Sequence, residues 1–395
     1  YQQSIMSNPN QPNYLPLKIS LHFSFFIVGI VTFILGHILP IIANNLKLND
    51  EQSGFFSTSQ FVGSIIGTIS TAFFIRKIGF IKTVGIGFLL FAVGLGGVNL
   101  SEFWLCRASV SIYGIGVGLL IPSILMLTAA LNPLKTTSAL NLMSCFWALG
   151  AVVSQPFVSL LGGGTLAIPT FLIVSLSLVF AIIYLVIFRD FSTEQSDSVP
   201  DSQSVSIWSN PKAWLIIAFG LCDVGIESGV GIWLTTFTFR SNLPTEIWWF
   251  SAAPIFFTFF AIGPAVAAGL ARFLSNNQII WASLTITLLG TVLLIFSSGW
   301  QTIFFSAAIL GLGLAAVFPT NMSRFTETFG PAANKQTVPL FVMGSVGSIT
   351  IVSLIGYFSN AYNSLSAGLG VLLGAAIILI VLQTLFQTIS QNKKQ

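Results

Sequence analysis

Asp223 and Glu227 lie four residues apart in an otherwise apolar segment, 212–239. On a helix that spacing puts both carboxylates on one face. Ionisable groups inside hydrocarbon are expensive, so each marks a functional position. Two carboxylates this close repel each other in a low dielectric. The pair therefore suits coupling to a proton or cation, or hydrogen bonds to the hydroxyls of a solute. A second reading of Asp223 places it near the interface, facing water or capping a turn. His37 precedes Pro40 in the first apolar segment. Its imidazole changes charge near neutral pH, which makes it a second coupling candidate; the alternative is a neutral ring bonded to backbone beside the proline. Gln60, Asn141, Gln155 and Asn321 add amides that donate and accept hydrogen bonds, as a polyol requires. Their other use is bonding between helices. Trp147 and Trp233 offer faces for stacking on a sugar ring, or bulk for a packed interior.

The elements that must position these residues follow from composition. Only 7% of the 395 residues are charged and 54% are hydrophobic, with a mean hydropathy of +0.90. A water-soluble shell cannot be built from so few polar groups, whereas lipid imposes no such demand. Backbone amides in hydrocarbon must be paired within a segment or in a closed barrel. The apolar runs are too long and continuous for barrel strands, so they are read as helices. Twelve spans result, near 19–43, 53–75, 80–99, 103–130, 138–161, 165–189, 212–239, 245–270, 277–297, 300–326, 334–358 and 362–388. The hydrophilic stretch 190–211 holds Asp190, Glu194, Asp197, Asp201 and many serines, and it reads as a linker. The expected organisation is a tail 1–18, a six-helix lobe 19–189, the linker 190–211, a second six-helix lobe 212–388 and a tail 389–395.

Lys and Arg set the expected orientation. With both termini in the cytoplasm, only Lys47, Arg107 and Arg240 fall outside, and the other twelve of the 15 basic residues fall inside. No cleavable signal segment is expected, because the first eighteen residues are polar. Trp208, Trp214, Trp248, Trp249 and Trp300 sit at span ends as interfacial anchors.

The halves repeat. Gly114-x-Gly116 precedes Pro122 in the fourth span, and Gly311-x-Gly313 precedes Pro319 in the tenth, an offset of 197 residues (319 less 122). Proline in a helix frees a carbonyl and bends the axis, so these residues are candidate hinges for rocking lobes; close packing by small residues is the alternative. Arg324 and Glu327, three apart, are a candidate gate pair at the inner end of the tenth span, or a surface pair of small effect.

The ordered motifs resemble the major facilitator superfamily, and within it the fucose-permease and glucose-transporter-like branch. The segments that carry the resemblance are GHILPIIANNLKLNDEQSGFFSTSQFVGSIIG (36–67), LNLMSCFWALGA (140–151), DVGIESGVGIWL (223–234) and GLGLAAVFPT (311–320). Glu227 matches the branch's glutamate in the seventh span. The usual D-R-x-G-R loop is here Arg76-Lys77-Ile78-Gly79-Phe80, and His37 and Ile121 stand where fucose permeases carry carboxylates. The eighth span reads IGPAVAAGLARF (262–273), where the branch often has G-R after the first apolar run.

The resemblance implies an all-α membrane fold of two six-helix lobes related by a pseudo-two-fold axis. It also implies secondary or facilitative transport of a sugar or polyol by alternating access, with Glu227 as principal ligand. The expected partners are a small solute, a co-transported proton or cation and the lipid bilayer. The expected setting is the bacterial inner membrane, and the expected state is a monomer. Two alternatives stay open: an exporter of amphipathic or lipophilic compounds or lipids, and a non-transporting receptor or scaffold. The charge distribution forms no nucleic-acid-binding patch. No HExxH, nucleophile elbow, phosphate-loop lysine motif or metal-ligand spacing occurs, and Cys106, Cys145 and Cys222 form no CxxC pair. No enzyme activity, cofactor or metal is expected.

Overall fold

A computed structural model describes residues 14–132, 136–163, 165–189, 207–241, 243–244, 250–270, 273–329 and 338–391. The described residues are helical throughout their ordered elements, with no strand among them. The first lobe comprises α1 (Leu15–Leu46), α2 (Asp50–Ile78), α3 (Phe80–Gly97), α4 (Phe103–Ala130), α5 (Thr136–Gly162) and α6 (Ala167–Ile182), the last extended by a π turn over Ile183–Ile187. The second comprises α7 (Pro211–Phe239), α8 (Ala253–Leu270), α9 (Asn276–Ile295), α10 (Trp300–Ala315) with α11 (Val317–Phe329), α12 (Val338–Ala361) and α13 (Leu365–Gln391). The tenth span is thus two helices, α10 and α11, broken at Ala316, and the twelfth is α13. Eleven spans are long and apolar enough to cross a bilayer; the eighth has a shorter apolar stretch, Ala253–Ala267, and residues 245–249 lie outside the described set. Most of the linker reading, 190–206, also falls outside it.

Burial runs opposite to a water-soluble protein. Phe273, Phe296 and Phe171 are exposed, while Gln60, Gln155, Asp223 and Asn321 are buried. Apolar side chains face lipid, and polar ones are withdrawn between helices where partners exist.

Each half closes around its GxG helix in the same way. A Cβ on Gly114 would meet the backbone of Gln60 in α2, and one on Gly116 the backbone of Phe91 in α3. In the second half, Gly311 lies against the backbone of Phe256 in α8 and Gly313 against Thr287 in α9. The repeat also holds between the first and fifth spans of each lobe: Gly150 abuts Phe26 in α1, and Gly347, 197 residues on, abuts Leu221 in α7. Packing by glycine is how helices approach closely where lipid offers no hydrophobic drive.

The prolines differ. Pro122 lies within α4 and leaves the Gly118 carbonyl without its helical donor. Thr68 and Thr71 of α2 donate to that oxygen at 3.3 and 3.4 Å, so the helix continues. Pro319 falls in the first turn of α11, where a missing N–H is tolerated, and the helix restarts there.

The lobes touch through α2 with α12, α5 with α8, and α1 with α7. These contacts gather at the end opposite the chain termini. Gly36 meets the backbone of Gly231 and Ile232, Gly54 meets Val352 and Gly356, and Thr58 bonds Ser353. Further along the same stripe of α2, Val62, Ile66, Ile69 and Phe73 are exposed. Spacings of three and four keep these positions on one helix face, so α2 leaves α12 beyond Thr58. The seam is shut at one end and parts toward the other.

Candidate functional site

The site is built on α7. One face of that helix is pinned to α12, with Gly225 against Gly347 and Ser228 Oγ 2.7 Å from Ser348 Oγ. Another face carries Asp223, Glu227, Gly231 and Thr235 at successive intervals of four. Gly231 receives the ring of Phe33 from α1, with Phe257 of α8 behind it, and Thr235 bonds His37 of α1. The face that meets the first lobe at Gly231 and Thr235 therefore continues as Asp223 and Glu227, where the seam parts. Asp223 is buried and Glu227 half-buried, and neither has a hydrogen-bond or ion-pair partner among the described residues. Phe33 packs on Trp147 at 5.5 Å and on Phe257 at 4.2 Å between ring centroids, an aromatic floor on the shut side.

Below that floor a polar chain crosses the seam. His37 Nδ1 lies 2.8 Å from Thr235 Oγ1, which lies 3.3 Å from Ser251 Oγ. The Ser251 N–H donates to Gln155 Oε1 at 3.2 Å, which returns the chain to the first lobe. Trp233 Nε1 donates to the Val352 carbonyl at 3.2 Å. Outermost, Arg240 donates two bonds to the Asp50 carboxylate at 2.6 and 2.7 Å, Ser359 donates a third, and Asn360 bonds Glu51. Donation to the Asp50 carboxylate raises the Arg240 guanidinium pKa above its ordinary value.

The other expected site residues have different settings. Gln60 Nε2 donates to the Thr32 carbonyl, and Tyr113 donates to that of Val31, which fastens α1 within its own lobe. Asn321 likewise donates to the Ile216 carbonyl of α7. Trp233 is wholly buried, and Trp147 is half-buried beside Phe33. The side chain of Asn141 lies outside the described residues. The Arg324–Glu327 pair does not form. Arg324 bonds Gln383 and sits over the rings of Phe386 and Phe219, while Glu327 accepts from Asn276 and Ser323. Tertiary packing drew these two neighbours into separate contacts. Asp50, Thr235, Ser251 and Ser359 escaped the sequence reading. Arg240 as one of three cations on its side, with Asp50 as the first acid after the first span, was the available signal.

A model of the Major Facilitator Superfamily matches residues 21–337. The chain belongs to that superfamily. Membership agrees with the eleven helices among the described residues that are long and apolar enough to cross a bilayer. Among curated relatives, the uncharacterized MFS-type transporter YcaD of Salmonella dublin is 29% identical over 136 residues. That match covers 33% of this chain and 35% of YcaD. YcaD of Escherichia coli K12 is 27% identical over 116 residues, or 29% of each chain. The matches span about a third of these relatives' length. Solved structures share the fold at low identity. A bacterial homologue of the human lysosomal transporter Spinster, in an inward-facing and occupied conformation, has a TM-score of 0.78 at 12% identity, covering 96% of this chain and 97% of its own. The nucleoside transporter NupG has 0.73 at 14%, covering 94% and 98%. The transporter FucP in its outward conformation has 0.65 at 16%, covering 94% and 99%. The fucose-permease branch is thus one of several likenesses.

Proposed function

We propose that this superfamily transporter moves a polyhydroxylated solute, a sugar or polyol, by alternating access, and that Asp223 and Glu227 couple the movement to protons. The observation that carries the reading is the unpartnered acid pair on the α7 face that meets the first lobe one turn further on. A carboxylate pair held away from cations takes up a proton or a positively charged group when water is excluded. Loading and unloading of that charge, as the seam shuts at one end and then the other, is a coupling cycle. The sugar assignment rests on the resemblance at 223–234. The structurally similar FucP of E. coli is a fucose:proton symporter. With the basic-residue bias, the shut end is the outer one and the termini are cytoplasmic.

A second reading has its own support. The Gln60 and Asn321 amide nitrogens are taken up by backbone carbonyls and Gln155 Oε1 by the Ser251 N–H, which leaves the two amide oxygens of Gln60 and Asn321, the acids and the aromatic floor. That lining suits an amphipathic solute, which an exporter would carry. Reconstituted vesicles with an internal pH dye decide. Addition of the transported sugar is expected to alkalinise or acidify the lumen, and Glu227→Gln to abolish that signal while sugar counterflow persists. Proton movement unchanged in Glu227→Gln overturns the coupling assignment. A thermal shift with lipophilic compounds and none with any sugar replaces the first solute class by the second.

A further inference from the structure

The outermost seam contact joins three helices and both lobes at one carboxylate. Asp50 opens α2, Arg240 caps α7, and Ser359 lies near the end of α12. Both guanidinium bonds and the serine hydroxyl converge on Asp50. The carboxylate sits at a helix N-terminus, where the peptide dipoles favour negative charge. We propose that this joint is the lock holding the lobes shut at this end, and that α7 links it to the solute site. The inference rests on the alternating-access reading.

Three features favour a lock over a folding contact. Asp50 and Arg240 belong to opposite lobes, so neither lobe needs the pair to pack. Arg240 is 50% exposed, and a cavity of about 480 Å³ lined by Asp50, Arg240, Trp233, Thr236, Asn44 and Lys47 lies beside it. Water reaches the pair, so it opens at modest cost in each cycle. The deeper contacts, such as Thr235 with His37, are dry. Finally, Glu227 and Arg240 share one uninterrupted helix, thirteen residues or about 20 Å apart. Movement of α7 when solute or proton meets Glu227 acts directly on the lock.

Spin labels test this in the purified full chain in detergent. Cys145, the exposed cysteine, is replaced by serine. Asn45→Cys with Tyr362→Cys reports the locked end, and Lys82→Cys with Thr388→Cys the other. Asp50→Asn and Arg240→Gln are each expected to raise the population with a long 45–362 and a short 82–388 distance by about fivefold. Ser359→Ala moves it the same way and less. The exchange Asp50→Arg with Arg240→Asp is expected to restore the short 45–362 distance, and a melting curve confirms folding. Unchanged distances in both single variants overturn the lock. Opening in both singles without recovery in the exchange overturns the pairing. The readout is distance, not flux, so failure here is separable from failure of Glu227→Gln in the coupling assay.

Discussion

The two halves of α7 are built on opposite principles. From Gly231 to Arg240 the facing side is bonded across the seam, Thr235 with His37 and Arg240 with Asp50, and Trp233 is bonded to Val352 within its own lobe. From Asp223 to Glu227 the same face carries two carboxylates without a hydrogen-bond or ion-pair partner among the described residues. The helix is continuous and its local sequence is similarly apolar throughout, so the difference is one of surroundings. A satisfied polar group in a dry seam rigidifies the contact. An unsatisfied one is costly and awaits a proton or ligand. On the proposed alternating-access reading, the contrast separates the part of the helix that closes from the part that binds.

Substitutions along this helix and its partner can break or sharpen the contrast. The largest effect is expected at Glu227, where glutamine removes the charge and should take proton movement to background in the vesicle assay. Gly36→Ala should come next. Its Cβ would lie 2.4 Å from the Gly231 carbonyl oxygen, a backbone atom that cannot yield without moving a lobe. The expected result is a folded protein with the 45–362 distance lengthened, as an overpacking cost of about 1–3 kcal/mol shifts the equilibrium by tenfold or more. An unchanged distance would mean that the seam is softer than its geometry. His37→Leu removes the Thr235 partner in a buried chain and should favour the opposite state by about fivefold, about 1 kcal/mol. Trp233→Phe deletes one donor while keeping most of the ring, and a shift of about threefold or less is expected in the same labels. If Trp233→Phe exceeds Gly36→Ala, shape is not what closes this end.

The repeat shows how much was legible in the sequence. Gly114, Gly116, Gly311 and Gly313 were placed as small residues at equivalent depths, and each meets the neighbour its counterpart meets in the other lobe. Periodicity sufficed because close approach needs only the absence of a side chain. The prolines were less legible. Pro122 and Pro319 have identical spacing from their glycines, yet α4 continues and the tenth span breaks at Ala316. Thr68 and Thr71, on another helix, made the difference by capturing the freed Gly118 carbonyl. The eighth and eleventh spans were read at positions that include undescribed residues, so their first turns stay with the sequence reading.

By itself the sequence determined that this chain lives in lipid, that it folds as helices, that two halves repeat and that acids lie within the seventh span. Those properties follow from composition and spacing along one chain, because hydrocarbon forces each segment to satisfy its own backbone. Only the tertiary structure decided which polar side chains were left over. Gln60, Asn321 and Trp233 were as eligible in sequence as Glu227, but each found a carbonyl on a neighbouring helix. That outcome depends on how two helices are rotated against each other, an angle set by packing across the bundle and written in neither helix alone.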